Sequence, residues 1–287
     1  MIYICADDYG LCDSCSAHIT ECIQNGALNK VSVFTNTDIS DISRILVGNK
    51  PVFPSLHLNI VEGKALSSQD KIPLLADSDG KFRHSFTGLL KLSLTKRTEF
   101  ENQVYLEIKE QIKVWKNILP KQMPFMIDSH QHTHMIPAVF KVLMKAVKDE
   151  GINVGYLRIP SEPLMPYIMT PSLYLSYKPV NLTKQWLLKL LWQINKREYR
   201  KNPIPTALFM GVLFSGNMDI VRVRKILAHY IKKSQKSGKD IEVLFHPGYL
   251  DKNEDISEIC NPSFESFYYS PGRKTEYNTA MQLNIKK

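Results

Sequence analysis

The segment 128-DSHQHTH-134 places one acid and three of the chain's eight histidines within seven residues. In an extended backbone side chains alternate between two faces, so Asp128, His130, His132 and His134 are expected on the same side. Such a row is suited to bind something; the plainer alternative is a solvated strand end. A second concentration is the acid pair 7-DD-8. Aspartate is a favoured turn former and helix cap, which would explain one of the two. Two adjacent carboxylates straight after a buried strand repel each other unless a cation or a shared proton intervenes.

A cation answers this directly. One carboxylate with His57 and His130 makes two imidazoles and an oxygen, the three-ligand set of hydrolytic zinc with a position left open. Such an ion would polarise a carbonyl and lower the pKa of its bound water from ~15.7 towards ~7. The unligated aspartate is then free to accept that water's proton. Hydrolysis also needs an acid for the leaving group. His246, in 245-FHPG-248, could supply it if a neighbouring carboxylate holds it; otherwise it is a satisfied core histidine.

These residues are far apart in sequence, so the fold must bring them together. Short apolar runs alternate with stretches of helical period, the pattern of repeated β and α units. Strands are predicted at Ile2 to Ala6, Val31 to Thr35, Val52 to Ile60, Phe125 to Asp128, Asn153 to Arg158, Ala207 to Leu213 and Ile241 to Phe245. Helices are predicted from Ser14 to Asn25, stopped by Gly26, from Thr98 to Leu119, stopped by Pro120, and from about Pro137 to Asp149. Ile159 to Lys178 carries four prolines without clear period and reads as a long loop or lid.

Seven such units suit a TIM-barrel-like (β/α) barrel, irregular or incompletely closed, with a doubly wound open sheet as runner-up. No linker divides residues 1–287, so a single domain is expected. In a β/α barrel the ends of Ile2 to Ala6, Val52 to Ile60, Phe125 to Asp128, Asn153 to Arg158 and Ile241 to Phe245 open onto one face. That face would gather Asp7, Asp8, His57, Asp128, His130, Arg158 and His246. Neither a Walker loop nor a G-x-G-x-x-G is present, which removes the commonest nucleotide sites.

Composition narrows the class further. Hydrophobic residues make up 44% and charged residues 23%, ordinary for a folded globular chain. Neither a signal peptide nor an apolar stretch of ~18 residues is evident, and five cysteines form no framework, which together lead us to expect a soluble cytoplasmic protein. Cys12-Asp13-Ser14-Cys15 is a C-x-x-C that we read as a helix start with small buried thiols, above a redox pair or half a zinc site.

The formal charge of +9 is uneven: seven basic residues and one acid lie between Lys178 and Lys201. A solvated helix face is the simplest account, and no nucleic-acid partner is expected, although polynucleotide, anionic lipid and acidic sugar remain open. The segment 183-TKQWLLKLLWQINKREYRK-201 also makes a surface-seeking helix imaginable. Core packing of its tryptophans and leucines is the more economical expectation.

Four pieces in order, 6-ADDYGL-11, 56-LHLN-59 with 63-GKAL-66, 127-IDSHQHTHMIP-137 and 245-FHPG-248, resemble the YdjC-like (ChbG-type) carbohydrate deacetylase family. The similarity runs from about Ile2 to Asp251, with a weaker echo at 273-RKTEY-277. It implies a TIM-barrel-like fold and metal-dependent removal of an N-acetyl group from amino sugars such as acetylated chitooligosaccharides. Carried over, Asp8 is the metal ligand with His57 and His130, Asp7 the base and His246 the acid, although Asp7 and Asp8 could exchange roles. Asn59, Asp128, His132 and Arg158 are assigned to substrate binding or to support of the ligands.

One divalent ion is implied, zinc preferred over magnesium because two ligands are imidazoles. Two other readings remain open. One is a different amidohydrolase using 132-HTH-134. The other is a non-catalytic protein on the same scaffold, binding a sugar or an anion. A glycolipid contact and a homodimer are open as well.

Overall fold

The computed structural model describes residues 1–37, 42–46, 50–250, 254, 256, 259–261 and 264–284. Asp251, the end of the motif-bearing stretch, lies outside the described residues. Seven strands, β1 (Ile2–Tyr9), β2 (Lys30–Val33), β3 (Phe53–Leu58), β4 (Phe125–Ser129), β5 (Val154–Leu157), β6 (Leu208–Met210) and β7 (Ile241–Phe245), form one sheet. Its order is β5-β4-β3-β2-β1-β7-β6, and every pairing is parallel. The sheet curls into a barrel that does not close. A backbone hydrogen bond from the Leu157 amide to the Pro205 carbonyl, 2.9 Å, reaches across the seam between β5 and the residues leading into β6.

Parallel strands are covered on both faces and therefore read as continuous apolar runs, as in Ile241–Phe245, where all five residues are buried. The helices supply the cover: α1 (Asp13–Asn25), α2 (Phe86–Thr95), α3 (Arg97–Ile118), α4 (Pro137–Asp149), α5 (Met165–Ile168), α6 (Pro179–Tyr199), α7 (Ile220–Ser237), α8 (Glu265–Tyr268) and α9 (Pro271–Gln282). On α3 the residues Phe100, Val104, Ile108, Ile112 and Trp115 recur at helical spacing and are all buried. Truncating the fully enclosed Trp115 to alanine would cost about 3–5 kcal/mol. Gly238 closes α7 with a left-handed backbone, φ 69°, which a residue without Cβ adopts freely.

Every predicted strand has a counterpart, and α1, α3 and α4 fall where periodicity and stop signals put them. Other expectations are corrected. The row from Asp128 to His134 is not one extended face: β4 ends at Ser129, and Gln131 and His132 adopt left-handed backbone at φ 52° and 58°. Ile159 to Lys178 is not a structureless loop, because it contains α5 and a 3-10 turn over Pro171–Ser176, with Tyr167 and Leu173 buried. On α6, Leu188 and Leu191 are buried as expected, whereas Leu182, Trp186, Leu190 and Ile194 face outward. Helix α2 and the C-terminal α9 were not foreseen.

Cys12 occupies the N-cap position of α1, and the buried Cys15 thiol donates to the Gly248 carbonyl at 3.1 Å. The helix start lies where expected, with the Cys15 thiol buried and that of Cys12 only half-buried.

Candidate metal and catalytic site

Consecutive strand residues ordinarily point to opposite faces, yet Asp7 and Asp8 both reach the same imidazole. The cause is local. The β1–β2 register shifts between Ala6 and Tyr9, and Asp8 takes a left-handed φ of 72°. Aspartate tolerates this conformation better than most residues, and an irregularity of this kind re-aims a side chain next to a site. His57 Nε2 consequently lies 3.9 Å from Asp7 Oδ2 and 3.7 Å from Asp8 Oδ1.

Parallel pairing sets the next contact. His57 and Asp128 are register partners on β3 and β4, so their side chains share a face, and His57 Nδ1 meets Asp128 Oδ1 at 2.6 Å. Asp128 Oδ2 accepts from Lys30 Nζ at 2.8 Å, Ser32 Oγ at 2.8 Å and Ser55 Oγ at 2.7 Å. With both oxygens occupied and no exposed surface, Asp128 orients the His57 ring. A proton on Nδ1 leaves the Nε2 lone pair pointing at Asp8.

His130, the first residue after β4, completes the cluster with Nδ1 3.2 Å from Asp8 Oδ1. Its Nε2 contacts Glu62 Oε2 at 2.7 Å. Glu62 also accepts from the Tyr268 hydroxyl, the Asn261 amide at 3.2 Å and the Cys260 thiol. Asp8, His57 and His130 thus offer three ligand atoms within 4.8 Å of one another, all buried. Two of these atoms, Asp8 Oδ1 and His57 Nε2, have no hydrogen-bond partner. Buried acceptors are rarely left so, and two facing each other beside a third donor fit a divalent cation.

The two aspartates differ in what holds them. Asp7 receives both arms of Arg158, Nη1 to Oδ2 at 2.7 Å and Nη2 to Oδ1 at 2.8 Å. Burial would raise its carboxyl, but the Arg158 guanidinium, helped by His57, takes it down to about 2. Arg158 also donates to Glu242 Oε1 at 2.8 Å, and Lys30 stands 3.1 Å from the same oxygen. Asp8 has only its Oδ2 hydrogen-bonded, by Arg273 from α9, while Oδ1 faces the His130 and His57 rings. Burial opposes ionisation there too, but Arg273 and the two imidazoles hold Asp8 well below the usual carboxylate range.

The carboxylates act back on the rings. Burial disfavours a charged imidazole, yet Glu62 and Asp8 raise His130 to about 10, and Asp7, Asp128 and Asp8 raise His57. His134 goes the other way: burial lowers it to about 4, and its nitrogens meet Ser129 Oγ at 2.5 Å and the Arg158 carbonyl at 2.8 Å. His132, half-buried, packs edge-on against Phe209 with ring centroids 5.8 Å apart. A second group, Asp7, His57 and Asp128, also lies within 4.8 Å. Neither group includes His132 or His134.

His246 follows β7 and is held from α9: its amide donates to Glu276 Oε2 at 2.5 Å, and Nδ1 lies 3.4 Å from the same oxygen. Asn59 braces a turn, accepting from the Val61 and Glu62 amides at 3.1 Å and donating to the Glu62 carbonyl at 2.7 Å. Asn59, Asp128 and Arg158 are buried and their polar groups engaged, so they shape the site from beneath rather than line an open surface. Sequence reasoning missed Glu62, Glu242, Lys30 and Tyr268 and left Arg273 and Glu276 without roles. Only 273-RKTEY-277 carried a signal.

A family model described as YdjC-like protein matches residues 1–287. A carbohydrate deacetylase of Danio rerio is 29% identical over 164 residues, 56% of this chain, and the match spans 50% of that protein. A chitooligosaccharide deacetylase of Yersinia pestis (strain Pestoides F) is 20% identical over 268 residues, covering 91% of this chain and 87% of that one. Among solved structures, a candidate cellobiose-phosphate cleavage protein of Enterococcus faecalis V583 aligns with a TM-score of 0.67 over 98% of this chain and 90% of that one. At 16% identity this likeness concerns the fold alone. With a family match running the whole length of the sequence, the chain belongs to the YdjC-like family.

Proposed function

We propose that the protein is a metal-dependent hydrolase that removes the N-acetyl group from an amino sugar or its oligosaccharide. The observation that carries this reading is the pair of buried atoms without a hydrogen bond, Asp8 Oδ1 and His57 Nε2, set beside His130 Nδ1. The deacetylase names of the two relatives point to the same chemistry. Asp8, His57 and His130 would hold the ion, zinc before magnesium because two donors are nitrogen. A divalent cation there supplies Lewis acidity, polarising the acetamido carbonyl and acidifying the attacking water.

The protein's own groups do the rest. Asp7, kept ionised by Arg158, takes the proton of the attacking water. His246, steadied by Glu276, delivers a proton to the amine as the C–N bond breaks. Asp128 fixes the His57 tautomer, Glu62 fixes the His130 ring, and half-buried His132 is left to face the sugar. Five free cysteines suit a reducing compartment, so we place the protein in the cytoplasm.

The test is acetate release from a panel of N-acetylhexosamine derivatives by protein loaded with zinc, cobalt or magnesium. Release that depends on the added ion supports the assignment. No release from any member of the panel with any of the three ions contradicts it.

A further inference from the structure

The outer side of α6 and the segment before it carry apolar surface that the fold leaves uncovered. Of the sixteen large hydrophobic side chains exposed among the described residues, eleven lie between Leu164 and Ile194. Leu182, Trp186, Leu190 and Ile194 recur every fourth residue and make one stripe along α6, with Trp186 68% exposed. Leu175, in the turn just before the helix, is fully exposed. A groove of about 670 Å³ lined by Leu164, Leu182, Trp186, Lys189 and Leu213 joins the segment to the helix. Scattered exposed leucines need no explanation, but a concentration of this kind marks a surface that meets something apolar.

The surface is held in place rather than loose. Buried Glu162 accepts from the backbone amides of Val212 at 2.9 Å and Leu213 at 3.0 Å, and from that of Gly211. This fastens the segment to the end of β6, beside the seam of the barrel. Leu164 lies six positions after Arg158 in sequence, and Glu162 between them meets the residues that follow β6.

Charge decides what fits. Between Lys178 and Lys201 there are seven basic residues, and the single acid, Glu198, is paired with Lys201 at 2.6 Å. A two-fold contact between copies of the chain would set this same surface against itself, cation against cation. An anionic bilayer instead offers an apolar interior for the leucines and tryptophan and negative headgroups for the lysines. No described helix is long and apolar enough to cross a membrane.

We propose that the surface formed by residues 164 to 201 docks the protein onto lipid bilayers that carry anionic headgroups. The inference stands on exposure and charge, and its readouts need no substrate. It therefore survives or fails independently of the hydrolase assignment.

The full chain is mixed with phosphatidylcholine vesicles containing increasing fractions of phosphatidylglycerol, and binding is read by co-sedimentation and tryptophan fluorescence. Binding should grow with the anionic fraction, weaken with salt and shift tryptophan emission to the blue, a shift that Trp186→Ser removes, Trp115 being enclosed and Trp192 packed between Phe140 and Tyr199. Leu175→Ser with Trp186→Ser should lower partitioning at least tenfold. Lys178→Gln and Lys189→Gln should each lower it roughly fivefold, as expected for ~1 kcal/mol per basic residue at the surface. Val221→Ser, an exposed apolar residue outside the patch, should leave it unchanged. Absence of binding at every anionic fraction overturns the proposal. So does a stable dimer in solution that shields Trp186 and dissociates on Trp186→Glu, since the patch would then be a contact between copies.

Discussion

Asp7 and Asp8 are chemically identical neighbours, yet they stand in two different regions of the molecule. Asp7 belongs to the floor of the barrel, a closed ionic lattice with Arg158, Glu242, Lys30 and Asp128 in which both carboxylate oxygens are occupied. Asp8 belongs to the rim, with His130, Glu62, Tyr268 and Arg273, and keeps one oxygen free of hydrogen bonds and turned to the two imidazoles. The lesson is that residue type alone does not distinguish the two carboxylates; the neighbours do, and the proposed division into base and ligand rests on them. A carboxylate clamped at both oxygens is preset as an anion, while one clamped at a single oxygen still has a lone pair to give.

The strongest way to break this comparison is to neutralise each aspartate in turn. Asp7→Asn should lower kcat by about 10²–10⁴ while the ion stays bound, because it removes a proton acceptor and no ligand. Asp8→Asn should lose the ion itself, read by metal analysis after dialysis. If the two variants behave alike, the division between floor and rim fails.

Arg158→Met tests the floor alone. It leaves Asp7 and Glu242 as buried anions short of a partner and should destabilise the fold by about 3–5 kcal/mol in urea unfolding. Glu62→Gln tests the rim. It weakens the brace on His130 and should lower metal affinity about 10–100-fold, with little change in the unfolding midpoint of the metal-free protein.

The smallest effect is a proton count. His130 is raised to about 10, so at pH 7.5 the metal-free ring is protonated and must lose a proton to bind an ion. Calorimetry in buffers of different ionisation enthalpy should show about one proton released from this group per ion. The sign also governs stability. A raised pKa stabilises the metal-free fold fully below the ordinary histidine value and loses that contribution as pH climbs through about 10.

Much of this was legible in the sequence. The seven strands announce themselves because parallel strands are buried on both faces, and Asp7, His57, His130 and His246 sit at or beside strand ends that the fold must gather. What stayed hidden depends on distance or on backbone detail. Glu62 meets His130 across 68 residues and Arg273 meets Asp8 across 265, and neither spacing has a period to reveal it. The left-handed turns at Asp8, Gln131 and His132 break the alternation that period-two reasoning assumes. The outward stripe of α6 was misassigned to the core because leucine at helical spacing looks the same whichever way the helix faces.

The central claim is that one divalent cation is shared by Asp8 Oδ1, His57 Nε2 and His130 Nδ1. Anomalous scattering from crystals grown with zinc tests it most directly. A single strong peak about 2.0–2.2 Å from all three atoms is the result expected, and it should vanish in His130→Ala without loss of the fold. A peak between Asp7 and Asp128 instead, or none near His57, would contradict the account.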